Sequence, residues 1–163
     1  MSSSLDSDLY SDVIAAGSLV GVIQQAAASL GVDLGIDGGE QPSLLQAEVA
    51  SVVPNRGPAR VMLAAKERLF LISGFLYQIR ILSGSTSDLE LLVKVVEGWR
   101  TGASLREIER AAPIIHISDL AESTERGPAE AVEARWRLER EFLRGCPEGF
   151  EKLLSLSDPH SCE

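Results

Sequence analysis

Between Glu133 and Gly145 the chain reads EARWRLEREFLRG, which gathers Arg135, Arg137, Arg140 and Arg144 around one of its two tryptophans. A guanidinium beside an indole can hold a carboxylate or a peptide carbonyl: the planar fork donates parallel hydrogen bonds and the ring supplies an apolar wall. At ~100° per residue, Ala129, Val132, Trp136, Leu138, Phe142 and Leu143 span one face of a helix. Arg137, Arg140 and Arg144 fall opposite, beside Glu133 and Glu141, as an ordinary solvated surface. Arg135 and Glu139 instead project inside the apolar face, where a desolvated charge needs a partner. The ordinary reading is that they pair with each other or reach solvent at the rim. The functional reading is that the helix borders a groove, with Arg135, Trp136 and Glu139 lining a concave substrate-binding surface. The Arg-first order at i,i+4 is the poorer one for local pairing, which motivates the groove.

Other familiar chemistries lack their residues. The two histidines, His116 and His160, are far apart in the chain, and His116 sits in the apolar run PIIHIS, as a satisfied buried histidine would. There is no H-E-x-x-H and no paired C-x-x-C, so no metal site is expected. Nor is there a G-x-G-x-x-G, a phosphate loop or a G-x-S-x-G, so no cofactor is expected either. GVDLGIDGGE is rich in glycine and acid but lacks the spacing of a calcium loop. Acids are plentiful, yet nothing in their spacing selects a general acid and base, and no catalytic residue is assigned.

The balance of charge narrows the partners. With 15 Lys and Arg against 24 Asp and Glu, the net charge is -9, which repels phosphate backbones and disfavours nucleic acid. The two cysteines, Cys146 and Cys162, could pair, but they do not form a secreted disulfide framework, and two free thiols suit a cytoplasmic chain. The opening MSSSLDSDLYSD is acidic where a signal peptide would be basic, and no apolar run is long enough to span a bilayer.

A length of 163 residues suits one domain with a single core. The expected division is a disordered tail over 1–8, one domain over 9–157 and a mobile tail over 158–163. Ser18 and Gly31 bracket a helix over about 18–30. LLQAEVASV alternates as a half-buried strand, and VVPNRGPAR is a connection built from turn formers. RVMLAA and RLFLIS are strands joined at Lys66-Glu67. FLYQIRIL is a further strand after a turn at Ser73-Gly74, with Phe75, Tyr77, Ile79 and Ile81 on one face. Ser87 and Glu90 form a capping box for a helix whose Leu91, Leu92, Val95, Val96 and Trp99 share a face, with Trp99 as a core anchor. Ser104 and Glu107 start another helix, which Pro113 stops. IIHI is a short buried segment that could add a strand. Pro128 opens the arginine-rich helix, and Pro147 a last short one. The fold class is therefore α+β: a single domain with an antiparallel β meander of about four strands packed against several helices.

The stretches LSGSTSDLELLVKVVEGWRTGASLREIERAAPII and ERGPAEAVEARWRL resemble an actinobacterial family of unknown function whose members carry the label "natural product biosynthesis protein". The shared pattern falls on Ser83, Gly84, Thr86, Asp88 and Leu89, then Trp99, Gly102, Leu105 and Glu107, then Gly127, Pro128, Val132, Glu133, Trp136 and Arg137. LYSDVIAAGSL is similar too, so the likeness runs over roughly residues 9–145. It implies an accessory or tailoring protein of a biosynthetic gene cluster, often one that makes a modified peptide. A precedent is the cofactor-free lysinoalanine-forming proteins of lanthipeptide antibiotic pathways, in which a lysine amine adds to dehydroalanine. The alternative is a non-catalytic carrier, scaffold or self-resistance protein of such a cluster. On either reading the partner is a peptide or small-molecule biosynthetic intermediate. Nucleic acid and membrane are not expected, and a homodimer is left open.

Overall fold

A computed structural model of the chain describes residues 7–36, 43–118 and 120–144. The short helix expected from Pro147, the tail expected over 158–163, most of the tail expected over 1–8, Cys146, Cys162 and His160 lie outside the described residues. The chain divides into two compact units, Met1–Ala121 and Glu122–Glu163.

The first unit is an α+β fold built on one antiparallel sheet, in the strand order β1-β2-β3-β4-β5. Its elements are helices α1 (Ser11–Ala16) and α2 (Leu19–Ser29), strands β1 (Gln46–Val49), β2 (Ala59–Leu63), β3 (Phe70–Leu76) and β4 (Ile79–Thr86), helices α3 (Leu89–Thr101) and α4 (Leu105–Ala111), and strand β5 (Ile115–Ile117). Every strand pairs with its chain neighbour, so short connections suffice. The meander therefore has five strands among the described residues, IIHI supplying the fifth.

Alternation sorts the side chains onto two faces. Ala47, Val49, Ala59, Val61, Phe70, Ile72, Leu76 and Leu82 are buried. Against them pack Val22 and Ile23 of α2, Leu92, Val95, Val96 and Trp99 of α3, and Leu105 and Ile108 of α4. On the outer face, register aligns Glu48, Arg60, Ser73, Ser83 and His116 in one row, and Gln46, Met62, Leu71 and Ser85 in the next. His116 is thus exposed and not a buried core histidine: β5 turns Ile115 inward, and the period of two turns its neighbour outward.

Helix starts follow local capping chemistry. The Ser18 hydroxyl accepts from the Gly21 amide at 2.9 Å. Ser104 and Glu107 form a reciprocal capping box, which holds the Glu107 carboxyl below its usual range through the Ser104 backbone amide and hydroxyl. At α3 the cap is Asp88 and not Ser87: its carboxylate accepts from the Glu90 amide at 2.8 Å. A carboxylate at that end also suits the helix dipole.

The N-terminal segment is fastened to the β2–β3 turn. The buried Tyr10 hydroxyl lies 2.8 Å from both Ala64 O and Glu67 O, and it accepts from the Leu69 amide at 3.0 Å. Arg68 donates to both carboxylate oxygens of Asp12 and to Leu9 O, and its guanidinium lies over the Tyr10 and Phe70 rings. The Arg68 hydrogen bonds hold the Asp12 carboxyl below its usual range.

The second unit is described over helix α5 (Ala121–Arg126), whose first residue closes the first unit, and helix α6 (Pro128–Arg144). Pro128 takes the first position of α6, where a missing N–H costs nothing. Along α6, Val132, Trp136, Leu138 and Phe142 are exposed.

Candidate functional site

The groove expected along α6 requires a desolvated Arg135. Instead, Arg135 Nε donates to Glu139 Oε1 at 3.2 Å, with the two side chains 67% and 48% exposed. Trp136 is half exposed on the same helix. Arg137 pairs in the same way with Glu133 at 3.2 Å. Arg135, Trp136 and Glu139 do share a helix face, but their charges stay in solvent because the apolar residues around them are themselves exposed. Among the described residues nothing desolvates the pair, and within them it is a surface ion pair of modest strength.

A cleft of about 840 Å³ opens in the first unit, lined by Asn55, Arg56, Gly57, Pro58, Arg60, Phe75, Tyr77 and Gln78. Two chain segments build it. One is the connection from β1 to β2, where Asn55 takes a left-handed conformation that asparagine tolerates (φ 66°). The other is the β3–β4 hairpin, whose two-residue turn is Tyr77-Gln78, with φ 47° and 66°. Positive φ at both central residues is the type I′ geometry that suits the right-handed twist of paired strands. The turn is therefore not at Ser73-Gly74, which lies inside β3, and FLYQIRIL is two strands folded back on each other. The two segments are joined by the Gly57 amide donating to Phe75 O at 2.8 Å and the Tyr77 amide donating to Asn55 O at 3.2 Å.

Arg56 and Trp99 fix the cleft to the core. Trp99 is fully buried, and its indole N–H donates to Gly57 O at 2.9 Å. Arg56 lies over that indole, 4.8 Å from the ring centroid. Its fork donates to Trp99 O at 3.1 Å and Ala103 O at 2.8 Å, and so caps the C-terminal end of α3 from a distant loop. Gly74 lies beneath the same ring: a Cβ there would come within 2.8 Å of Trp99 Cη2 and Cζ3. Gly102 ends α3 in the left-handed conformation (φ 91°). The residues that carry the sequence resemblance thus include a strand-end hydroxyl (Thr86), a cap (Asp88), a core indole (Trp99), a helix stop (Gly102), a core leucine (Leu105) and a capping-box acid (Glu107).

The outer rim of the cleft is charged and aromatic. Arg60 donates to Glu48 Oε1 from Nε at 2.9 Å and lies over the Phe75 ring at 5.7 Å. Arg80 is the register partner of Phe75 on β4, so it shares the outer face; it is exposed and meets no acid among the described residues. Such a lining can hold a ligand by aromatic contact, amide hydrogen bonds and positive charge. Sequence reasoning identified Asn55, Gly57 and Pro58 only as turn formers and did not select Arg60, Phe75, Tyr77 or Gln78. The available signal was the composition of the run, where Phe75, Tyr77, Gln78 and Arg80 fall within six residues and are too polar together to be wholly core.

No group of three or more His, Cys, Asp or Glu among the described residues could hold a metal ion. None of the helices they form is long and apolar enough to cross a membrane. Comparison with protein-family models, with curated proteins and with solved structures finds no match to this chain.

Proposed function

We propose that the protein is a cytoplasmic accessory protein of natural-product biosynthesis that holds a peptide-like intermediate in the cleft between the Asn55–Arg60 segment and the β3–β4 hairpin. One observation carries the reading: the cleft combines the rings of Phe75 and Tyr77 with the side-chain amides of Asn55 and Gln78 and the guanidinium of Arg60. Side-chain amides offer both a donor and an acceptor, which matches a peptide bond, and the rings take apolar side chains. The biosynthetic setting rests on the motif resemblance alone.

The test starts from the genes beside this one, which identify a precursor peptide and its modifying enzymes if the setting is right. The resulting intermediate is then titrated into the 15N-labelled protein. Amide shifts confined to residues 55–60 and 75–80 support the cleft; shifts confined to α6 overturn it. The same sample is analysed by mass spectrometry with fragmentation. Fragmentation is essential because closure of a lysine amine onto dehydroalanine leaves the mass unchanged. An unaltered intermediate supports a holding role, and a new cross-link supports a tailoring one.

A further inference from the structure

We propose that Arg60 and Arg80, one on each side of Phe75, form a carboxylate subsite at the outer rim of the cleft, and that Glu48 competes for it from within the protein. The proposal rests on the cleft being the binding site and adds the chemical class of the group held there. Three observations meet at this point. First, β3 is flanked by β2 and β4, and the two arginines stand on those neighbouring strands on the same face as Phe75. Second, the chain is acidic, with net charge -9, yet Arg60 lies over the Phe75 ring and Arg80 is the register partner of Phe75, and Arg80 meets no acid among the described residues. A local positive potential on an acidic surface selects an anionic partner. Third, Arg60 already holds a carboxylate: Nε and Nη2 both contact Glu48 Oε1 at 2.9 Å, with both side chains 46% exposed.

That exposed pair is weak enough to open, so an incoming carboxylate can take over Arg60 while Arg80 supplies a second donor set. Phe75 between them gives the residue next to the carboxylate an apolar surface. The chemistry is common to a peptide C-terminus and an acidic side chain, and the two sources are separable by ligand.

The probes are N-acetyl-Phe-Ala with a free carboxylate, its C-terminal amide, and N-acetyl-Phe-Glu amide, titrated by NMR and calorimetry at fixed salt. The expected result is that at least one carboxylate probe binds at the cleft about tenfold or more tighter than the neutral amide, a preference lost in Arg60→Ala and Arg80→Ala. Tighter binding of the first probe assigns a chain end; tighter binding of the third assigns a side chain. Glu48→Gln should tighten carboxylate binding several-fold, a gain that misfolding cannot imitate. Glu90→Gln, the same charge change on α3, is the control and should do little. Equal binding of acid and amide overturns the subsite and leaves the cleft as a peptide site. Binding of no probe overturns both.

Discussion

Gly74 is held to glycine by the ring of Trp99, not by a left-handed backbone: it lies in β3, beside the register shift at Phe75, without a positive φ. A methyl group there would have to displace a ring that is itself hydrogen-bonded to Gly57 O and stacked under Arg56. Gly74→Ala should therefore cost about 1–3 kcal/mol, as overpacking of a well-filled core does. A urea denaturation midpoint equal to that of the parent would remove the argument. The same glycine explains a misreading of the sequence. Beside Ser73 it looks like a turn signal, because a glycine needed for close approach and a glycine needed for positive φ are the same letter. Trp99 was legible as a core anchor because its helix neighbours at the right period are apolar. Its bond to Gly57 was not, since 42 residues separate them. At Arg135 a helical wheel gives the direction of a side chain and carries no information on what packs there.

At the scale of elements, sequence reasoning located α2, α4, α6 and the β2–β3 turn, whose caps and breakers act within a few residues. It missed the Tyr77-Gln78 turn, which contains neither glycine nor asparagine, so the geometry is imposed by strand pairing and not by propensity. The tie between α1 and the β2–β3 turn was equally hidden, because Asp12 and Arg68 are 56 positions apart. That tie gives a pH dependence of definite sign. The Asp12 carboxyl titrates below its ordinary 3.8 in the folded protein, chiefly through its hydrogen bonds with Arg68. A group whose folded pKa is depressed contributes stability above the unfolded value and loses it as pH falls through the folded one. The melting temperature of the parent should thus exceed that of Asp12→Asn at about pH 7, and the gap should close in the acid range below about pH 4. A gap that is the same at both ends would show that the pair acts by packing and not by charge.

For the whole molecule, a sheet whose spatial order is its chain order was the most legible feature, because alternation and short connections specify a meander without any long-range information. The cleft was not legible. It forms where a connection and a hairpin meet, and each segment alone reads as punctuation. The contrast between the two tyrosines has a practical consequence. Tyr10 is fully buried with its hydroxyl among carbonyls, whereas Tyr77 is 38% exposed at the cleft. An electrophile that nitrates phenol rings should therefore mark Tyr77 and spare Tyr10 for as long as the protein stays folded. A single modified tyrosine, found by peptide mapping, would become a built-in spectroscopic label at the cleft. Any molecule that shields Tyr77 from the reagent would reveal itself as an occupant of that cleft before its identity is known.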